Sequence, residues 1–194
     1  MTKRSTTIVR ETRETRVVCS LDLDTSGATS VASGLPFLDH MLESWARHAG
    51  VGLSMEALGD LHVDDHHTVE DCGIVLGQAI DAALGDKSGI ARFGHAYAPL
   101  DESLARSVVD LSGRPWPVVN LGLQREQLGG VATENVTHFF CSLAISARLC
   151  LHLDVLRGTN DHHRAEAAFK SFALAFGRAA AVRGSGVPST KGVL

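Results

Sequence analysis

The sequence lacks three features that would place it in a specialised class of protein. Its 194 residues include only four cysteines, which form no C-x-x-C pair, so free thiols are expected rather than a disulfide framework. The net charge of −4 gives no reason to expect nucleic-acid binding or a basic membrane patch. No apolar run approaches the roughly 18 to 20 residues of a membrane span, and the first residues are polar. We therefore expect a cytoplasmic protein without nucleic-acid or membrane partners.

A short histidine-rich string is present twice. Asp65-His66-His67-Thr68-Val69-Glu70 is followed 96 positions later by Asp161-His162-His163-Arg164-Ala165-Glu166. On a helix, the first histidine and the glutamate of each string are four residues apart and share one face. One such string could be ordinary surface polarity, whereas two matched strings predict a two-metal site built from a duplicated unit.

The patterns around the two strings predict two similar halves, about residues 1–95 and 96–194, within a single domain of 194 residues. Alternating positions predict strands at 17–23, 51–57, 105–111, 117–123 and 149–156. Helical spacing predicts helices through Trp45, from Asp64 or Asp65 to Gly85, from near Asn135, and after a capping Asp161. We interpret each half as a ββαββα-like unit and predict an α+β fold of two sheets with the helices packed between them.

Six of the ten histidines occupy equivalent places in the two halves. A pseudo-twofold arrangement gives each metal one histidine–glutamate chelate, one helix histidine and one histidine from the other string. The predicted sets are His40, His67, His162 and Glu166 for one ion, and His66, Glu70, His138 and His163 for the other. Three imidazoles and a carboxylate leave open positions on an octahedral ion such as Mn²⁺, although zinc could also bind. Open positions favour catalysis over a closed structural site.

The donor set is compatible with different functional classes. A dinuclear hydrolase of phosphate esters and a non-catalytic metal-binding or cage protein both fit it. The hydrolase would be favoured by aspartate-rich bridging ligands, and this set is rich in histidine instead. A non-catalytic metal-binding protein would not need the hydroxyls of Ser189 and Thr190 or the cation of Lys191 in the Gly/Ser/Pro-rich tail. This tail is either a frayed end or a segment that closes over an anion.

Motifs along nearly the whole chain resemble those of the imidazoleglycerol-phosphate dehydratase family. They are Arg13-Glu14-Thr15, Phe37-Leu38-Asp39-His40-Met41-Leu42, the string at 65–71, Leu84-Gly85-Asp86-Lys87, Arg92-Phe93-Gly94, Asp101-Glu102, Asp110-Leu111-Ser112-Gly113-Arg114-Pro115, Asn160-Asp161-His162-His163 and Pro188-Ser189-Thr190-Lys191-Gly192. The resemblance implies a ribosomal protein S5 domain 2-like fold and a hydro-lyase of histidine biosynthesis. It implies conversion of imidazole glycerol phosphate to imidazole acetol phosphate with two Mn²⁺ ions per active site. It further implies a homo-oligomer of 24 subunits built from trimers, with active sites between subunits.

The resemblance also implies roles for individual residues. Glu14 would act as general acid or base, and His67, Glu70 and Glu166 would share in catalysis. Arg92, Arg114, Ser189 and Lys191 would bind the phosphate, and His48 would orient the substrate. The complete set expected to contact substrate is Glu14, His40, His48, His66, His67, Glu70, Arg92, Arg114, His162, His163, Glu166, Ser189, Thr190 and Lys191.

Overall fold

The chain forms two similar halves, and each half combines strands with two helices. The computed structural model describes residues 3–27 and 29–189. The first half contains β1 (Ser5–Glu11), β2 (Thr15–Asp22), β3 (Ser30–Ala32), α1 (Pro36–Ala49), β4 (Gly52–Gly59) and α2 (His66–Leu84). The second half contains β5 (Phe93–Leu100), β6 (Ser103–Asp110), β7 (Trp116–Asn120), β8 (Gln127–Leu128), β9 (Val131–Ala132), α3 (Thr133–Ser146), β10 (Cys150–Arg157) and α4 (Asp161–Ala180).

Each half contributes one mixed four-stranded sheet, and the two sheets share a topology. Their strand orders are β1-β2-β4-β3 and β5-β6-β10-β7, and only the last pair in each order is parallel. The predicted α+β class with duplicated halves is thereby confirmed. Leaving aside the small β8–β9 hairpin, the order within a half is β-β-β-α-β-α rather than ββαββα-like. The third strand was hidden in the first half because three residues are too short to show an alternating pattern.

Alternation along the strands places one face of each sheet against the helices. In β2, for example, Val17, Cys19 and Leu21 are buried while the residues between them keep part of their surface. Helix α2 packs on β1 and β2, and α4 packs on β5 and β6. The helices therefore lie between the two sheets, as predicted.

The helices pair across the halves, α1 with α4 and α2 with α3. The ring of Trp45 in α1 stacks on Phe172 of α4, with 6.1 Å between ring centroids. Near the other end of this pair, Phe37 meets His162, so the two helices run parallel. Their N-terminal ends lie side by side. The N-terminal ends of α2 and α3 are also adjacent, as the contact between Glu70 and His138 shows. No helix among the described residues is long and apolar enough to cross a bilayer.

Candidate active site

The N-terminal ends of α2 and α3 bring together three potential metal ligands. His66 is the first residue of α2, Glu70 follows one turn later, and His138 projects from α3. The Nε2 atom of His138 lies 2.9 Å from Oε1 of Glu70, and the two imidazole rings stack with centroids 5.0 Å apart. One donor atom from each residue falls within 4.8 Å of the others. We call these three residues the α2–α3 cluster.

An equivalent set, the α1–α4 cluster, consists of His40, His162 and Glu166. Oε2 of Glu166 lies 3.3 Å from Nε2 of His162 and 3.7 Å from Nε2 of His40. Its other oxygen, Oε1, lies 2.7 Å from Nζ of Lys170. Burial opposes ionisation of Glu166, but the Lys170 hydrogen bond and the nearby positive charges outweigh it and lower the pKa of this carboxyl. The carboxylate is therefore anionic and directs one oxygen at the two imidazoles.

Both clusters offer two imidazole nitrogens and one carboxylate oxygen. Such a mixed nitrogen and oxygen set suits Mn²⁺ or Zn²⁺. Each cluster holds three of the four ligands predicted for its ion. The fourth ligands, His67 and His163, belong to neither cluster among the described residues.

His67 and His163 are instead held by carboxylates through their Nδ1 atoms. Nδ1 of His67 lies 3.0 Å from Oδ2 of Asp60, and Nδ1 of His163 lies 2.8 Å from Oε2 of Glu102. These hydrogen bonds raise the pKa of both histidines, and the His163 bond lowers the pKa of Glu102. With Nδ1 donating, a neutral ring presents its Nε2 lone pair on the opposite side, as metal-binding histidines with a carboxylate behind them do.

The residues just before α2 and α4 fix where the two histidine pairs begin. Asp161 was predicted to cap α4, and this prediction is wrong because Asn160 caps the helix and accepts from the His162 N–H at 2.9 Å. Asp161 is buried and binds the backbone N–H groups of Gln124 and Arg125, each at 2.7 Å. Its carboxylate ties the start of α4 to the chain ahead of the β8–β9 hairpin.

At α2 the N-cap residue is Asp65, but its side chain does not cap the helix, and the oxygen that binds the first helical N–H comes from Asp64. Oδ1 of Asp64 accepts from the His66 N–H at 2.9 Å. Asp65 is buried like Asp161, but unlike Asp161 it binds the other half of the chain, where its Oδ2 accepts from the Ala132 N–H at 2.9 Å. Both buried aspartates therefore fix the start of a histidine-bearing helix, Asp161 through its own half and Asp65 through the other half.

A cavity of about 690 Å³ opens beside the α1–α4 cluster. His40 and Glu166 line it together with the cationic side chains of Arg47 and Lys170 and with His48. Burial, followed by the charges of Lys170 and Arg47, lowers the pKa of His48. His48, predicted to orient the substrate, thus lies next to one metal cluster, in a cavity whose lining carries both cations and the carboxylates of Glu43 and Glu166.

Glu14, the expected acid or base, lies beside the other histidine pair. It sits in the turn between β1 and β2, and its Oε2 is 3.9 Å from Nδ1 of His67. More than half of its side-chain surface is exposed. The carboxylate is therefore accessible to a ligand that approaches His67.

Arg92, one of the expected phosphate-binding residues, lies at the far end of α4. The Arg92 N–H donates to the carbonyl of Ala179 at 2.9 Å, which is thirteen residues, or about 20 Å of helix, beyond Glu166. The Arg92 guanidinium donates to both oxygens of Asp110 and to the Pro188 carbonyl, so it also lies close to the segment that carries Ser189. Arg114 is exposed in the turn after β6. Thr190 and Lys191 lie outside the described residues.

Sequence reasoning missed several residues that support these histidines. Asp60 and Glu102 bind His67 and His163 across separations of 7 and 61 residues. Asn135 binds His66 across 69 residues, and Lys170 binds Glu166. Only Lys170 had a local signal, its i,i+4 spacing from Glu166, and that spacing is also common in ordinary surface ion pairs.

The comparisons with known proteins agree with one another. A family model described as imidazoleglycerol-phosphate dehydratase matches residues 33–176. The imidazoleglycerol-phosphate dehydratase of Candida glabrata is 52% identical over 207 residues, covering 96% of this chain and 98% of the relative. That of Saccharomyces cerevisiae is 55% identical over 170 residues, covering 87% of this chain and 77% of the relative.

The solved structures that resemble this chain are also imidazoleglycerol-phosphate dehydratases. The crystal structure of the dehydratase from Staphylococcus aureus has a TM-score of 0.83 and 40% identity, covering 92% of this chain and 99% of that one. The Pyrococcus furiosus enzyme in complex with (S)-C348 also has a TM-score of 0.83, with 34% identity, covering 96% of this chain and 100% of that one.

Proposed function

The chain belongs to the imidazoleglycerol-phosphate dehydratase family and is a hydro-lyase of histidine biosynthesis, and on that premise we propose how its residues carry the reaction. The enzyme removes water from imidazole glycerol phosphate to give imidazole acetol phosphate. The observation that carries the proposal is the pair of equivalent clusters, each with two imidazoles and one carboxylate within 4.8 Å. The four free thiols suit a reducing compartment, and we propose that the enzyme works in the cytoplasm.

Each active site is proposed to hold two Mn²⁺ ions. One ion takes His40, His162 and Glu166 with His67 as a further ligand, and the other takes His66, Glu70 and His138 with His163. The histidine-rich donor set with carboxylate charge supports this assignment. When bound, Mn²⁺ supplies Lewis acidity that withdraws charge from a coordinated substrate group and fixes its orientation.

Two copies of the chain are needed to complete these ligand sets. His67 lies next to the α2–α3 cluster in sequence but is assigned to the ion of the α1–α4 cluster, and His163 has the reverse relation. Placing the α1–α4 cluster of one subunit against the α2–α3 cluster of another lets each subunit lend one histidine to its neighbour. The orientation of both rings supports this exchange, because their Nδ1 atoms are held by Asp60 and Glu102 of their own chain.

Such a contact joins two different surfaces, so repetition produces a closed ring or an open chain. We propose closed trimers that assemble further into a particle of 24 subunits. The 20 Å or so of α4 between Glu166 and the Arg92 contact supports a shared site as well. The eight residues of β5, roughly 23 Å long, give the same separation between Arg92 and Glu102, the partner of His163. A phosphate held by Arg92 is therefore too far from the α1–α4 cluster of its own chain, and we propose that the ring of that substrate lies on another subunit's cluster.

The side chains of the protein then divide the work. Arg92, Arg114, Ser189, Thr190 and Lys191 bind the phosphate, and the Asp110 bond holds the Arg92 guanidinium in a fixed orientation with N–H groups left to donate. His48 orients the substrate in the cavity beside the α1–α4 cluster. Glu14 transfers a proton at its carboxylate as general acid or base, a role that typically contributes ~10²–10⁴ in rate. His67, Glu70 and Glu166 fix the reacting group by holding the metals.

The reaction itself provides the test. The full-length protein supplied with Mn²⁺ should convert imidazole glycerol phosphate to a ketone that is detected by its absorbance in base, with inorganic phosphate unchanged. Removing the metal with EDTA should abolish the ketone, and adding Mn²⁺ back should restore it. Release of phosphate without ketone would overturn the proposal in favour of a phosphate-ester hydrolase.

A further inference from the structure

The internal duplication provides a comparison of the two metal clusters within one molecule. The helix histidines His40 and His138 are equivalent, and the residues three positions before them are Phe37 and Asn135. Both of these residues contact the first histidine of the corresponding string, His162 or His66. The same place in the two halves therefore carries an aromatic ring in one and an amide in the other.

The Asn135 side chain lies in a short chain of buried hydrogen bonds. Its Nδ2 donates to Oδ2 of Asp65 at 3.0 Å, and its Oδ1 is 3.0 Å from Nδ1 of His66. Asn135 is 4% exposed and Asp65 is 9% exposed. The Ala132 N–H also donates to Oδ2 of Asp65, which fixes the carboxylate in place.

These contacts determine which nitrogen of His66 carries the proton. The carboxylate of Asp65 only accepts hydrogen bonds, so the NH₂ group of Asn135 must face it. The amide oxygen of Asn135 then faces His66, where only an N–H at Nδ1 can complete the bond. The lone pair of the His66 ring is left on Nε2.

The equivalent histidine in the other half has a different neighbour. The edge of the Phe37 ring meets His162 with centroids 5.5 Å apart and an interplanar angle of 69°. A phenyl ring offers no acceptor that would choose between the two nitrogens. The carboxylate of this cluster, Glu166, also shares its charge with Lys170, whereas the equivalent of Lys170 in α2 is Ile74.

We propose that Asn135, held by Asp65, is a positioning residue that presents Nε2 of His66 to the metal and makes the α2–α3 cluster the tighter of the two metal positions. The inference rests on the ligand assignment of the proposed function. A histidine whose second nitrogen is already bonded loses less freedom when it coordinates, and outer hydrogen bonds of this kind typically contribute 10–100-fold in metal affinity. The α1–α4 cluster, with Phe37 and Lys170, is the weaker and more readily emptied position.

The test is a titration of the metal-free, full-length protein with Mn²⁺, following free Mn²⁺ by its electron paramagnetic resonance signal. The wild type should bind in two classes of unequal affinity. Asn135→Leu, which keeps the size and removes the acceptor, should weaken the tighter class by about 10–100-fold. Phe37→Leu is the matched control at the equivalent place, and it should leave the tighter class unchanged.

Removing one ligand carboxylate at a time locates the effect. Glu166→Gln leaves the α2–α3 cluster to be measured, and adding Asn135→Leu to it should weaken the remaining site. In a Glu70→Gln background the same substitution should change nothing. If Asn135→Leu proves unable to fold, Asp65→Ala tests the same arrangement, since it removes the acceptor that holds the Asn135 amide and should weaken the same class.

The outcomes separate the inference from its premise. If Glu70→Gln and Glu166→Gln both retain two bound ions, the ligand assignment itself fails. If each loses one ion but Asn135→Leu and Asp65→Ala titrate like the wild type, the ligands are right and Asn135 has no positioning role. Equal weakening of both classes, or the same loss in Phe37→Leu, would also overturn the inference.

Discussion

A histidine binds a metal through one ring nitrogen, and neighbouring residues influence that bond by forming hydrogen bonds with the other ring nitrogen. His66, His67 and His163 each have a bonded Nδ1, and their partners are an amide and two carboxylates. The partner therefore sets both the direction of the free lone pair and the proton affinity of the ring. Carboxylate partners make the imidazole a stronger base, which strengthens its bond to the metal. The same effect means that protons compete with the metal for this nitrogen up to a higher pH.

Glu14→Gln should separate chemistry from binding. Glu14 is exposed beside His67 and is not part of either cluster, so metal content should not change. The value of kcat should fall by ~10²–10⁴ while KM for the substrate stays close to that of the wild type, because the phosphate is held elsewhere. Glu11→Gln, which removes another exposed carboxylate from the end of β1, is the control and should be nearly silent. A rise in KM with unchanged kcat would assign Glu14 to binding instead.

The bond between His163 and Glu102 gives the metal-free protein a defined pH dependence. The hydrogen bond with His163 lowers the pKa of Glu102 from its ordinary value of 4.5. Ionised Glu102 therefore stabilises the folded protein above pH 4.5, and this contribution is lost as pH falls through the pKa of the folded state. The same bond raises the pKa of His163 from 6.5, so its stabilisation is present below that value and is lost as pH rises through the folded pKa. Both contributions coexist between these two ordinary values.

Glu102→Gln should therefore lower the unfolding temperature, and the decrease should be largest between pH 4.5 and pH 6.5. The measurement is the unfolding temperature of wild type and variant in EDTA across the pH range. Asp101→Asn is the control, because Asp101 is largely exposed and lies 3.9 Å from Nε2 of His163. A difference between wild type and Glu102→Gln that does not vary with pH would show that the ion pair is not formed.

Most of the metal clusters could be predicted from the sequence because their spacing is local. The pairing of His66 with Glu70 and of His162 with Glu166 follows from helix geometry, and the duplication adds His40 and His138. The supporting residues could not be predicted, since Asp60, Glu102 and Asn135 reach their histidines only through the tertiary fold. The ligand roles of His67 and His163 stay predictions, because they depend on a second copy of the chain.

At the scale of helices and strands, the two halves are held together by close contacts between backbones. A Cβ atom added to Gly77 of α2 would lie 2.5 Å from the Leu143 carbonyl oxygen and 2.8 Å from the Ala147 nitrogen of the α3 region. One added to Gly73 would lie 2.8 Å from the Phe139 carbonyl oxygen. Glycine at these positions sets the distance between α2 and α3, and with it the distance between His66 and His138.

Gly77→Ala should destabilise the protein although alanine is the better helix former. The added methyl forces α2 and α3 apart at a cost of about 1–3 kcal/mol, against ~1 kcal/mol gained from helix propensity, so we expect a net loss of up to about 2 kcal/mol. Ala82→Gly, an exchange in the opposite direction at an exposed site of the same helix, should cost only that ~1 kcal/mol. Denaturant unfolding of the metal-free protein measures both. A more stable Gly77→Ala variant would mean that the helices can separate without loss.

Strand β5 shows why some strands could not be predicted from the sequence. Its buried face consists of Gly94, Ala96 and Ala98, whose small side chains give a weak alternating pattern. The reason is packing, because the backbone of α4 at Ala175 and Ala179 lies directly against Gly94. Strands with larger inward residues, such as β2, were predicted correctly.

At the scale of the whole molecule, the proposed sharing of ligands can be tested by mixing two inactive variants. Glu70→Gln disables the α2–α3 cluster, and Glu166→Gln disables the α1–α4 cluster. If each active site combines one cluster from each of two subunits, oligomers reassembled from equal amounts should contain intact sites at about a quarter of the contacts between subunits. Activity should therefore return to roughly that fraction of the wild-type rate. Each variant dissociated and reassembled alone is the control, and no recovery in the mixture would place both clusters of a site in one chain.

The pairing of helices across the halves also sets the order in which the chain can fold. Trp45 of α1 is buried by Phe172 and Phe176 of α4, so its final contacts must wait until nearly the whole chain has left the ribosome. Contacts this distant in sequence form slowly, because the chain loses the entropy of a long loop before the stabilising contacts are made. During that interval the apolar face of α1 is open to other chains, and chaperone binding is expected there. Fluorescence of Trp45 during refolding, measured in a Trp116→Phe background because the chain has two tryptophans, should report the packing of α4 as a late step.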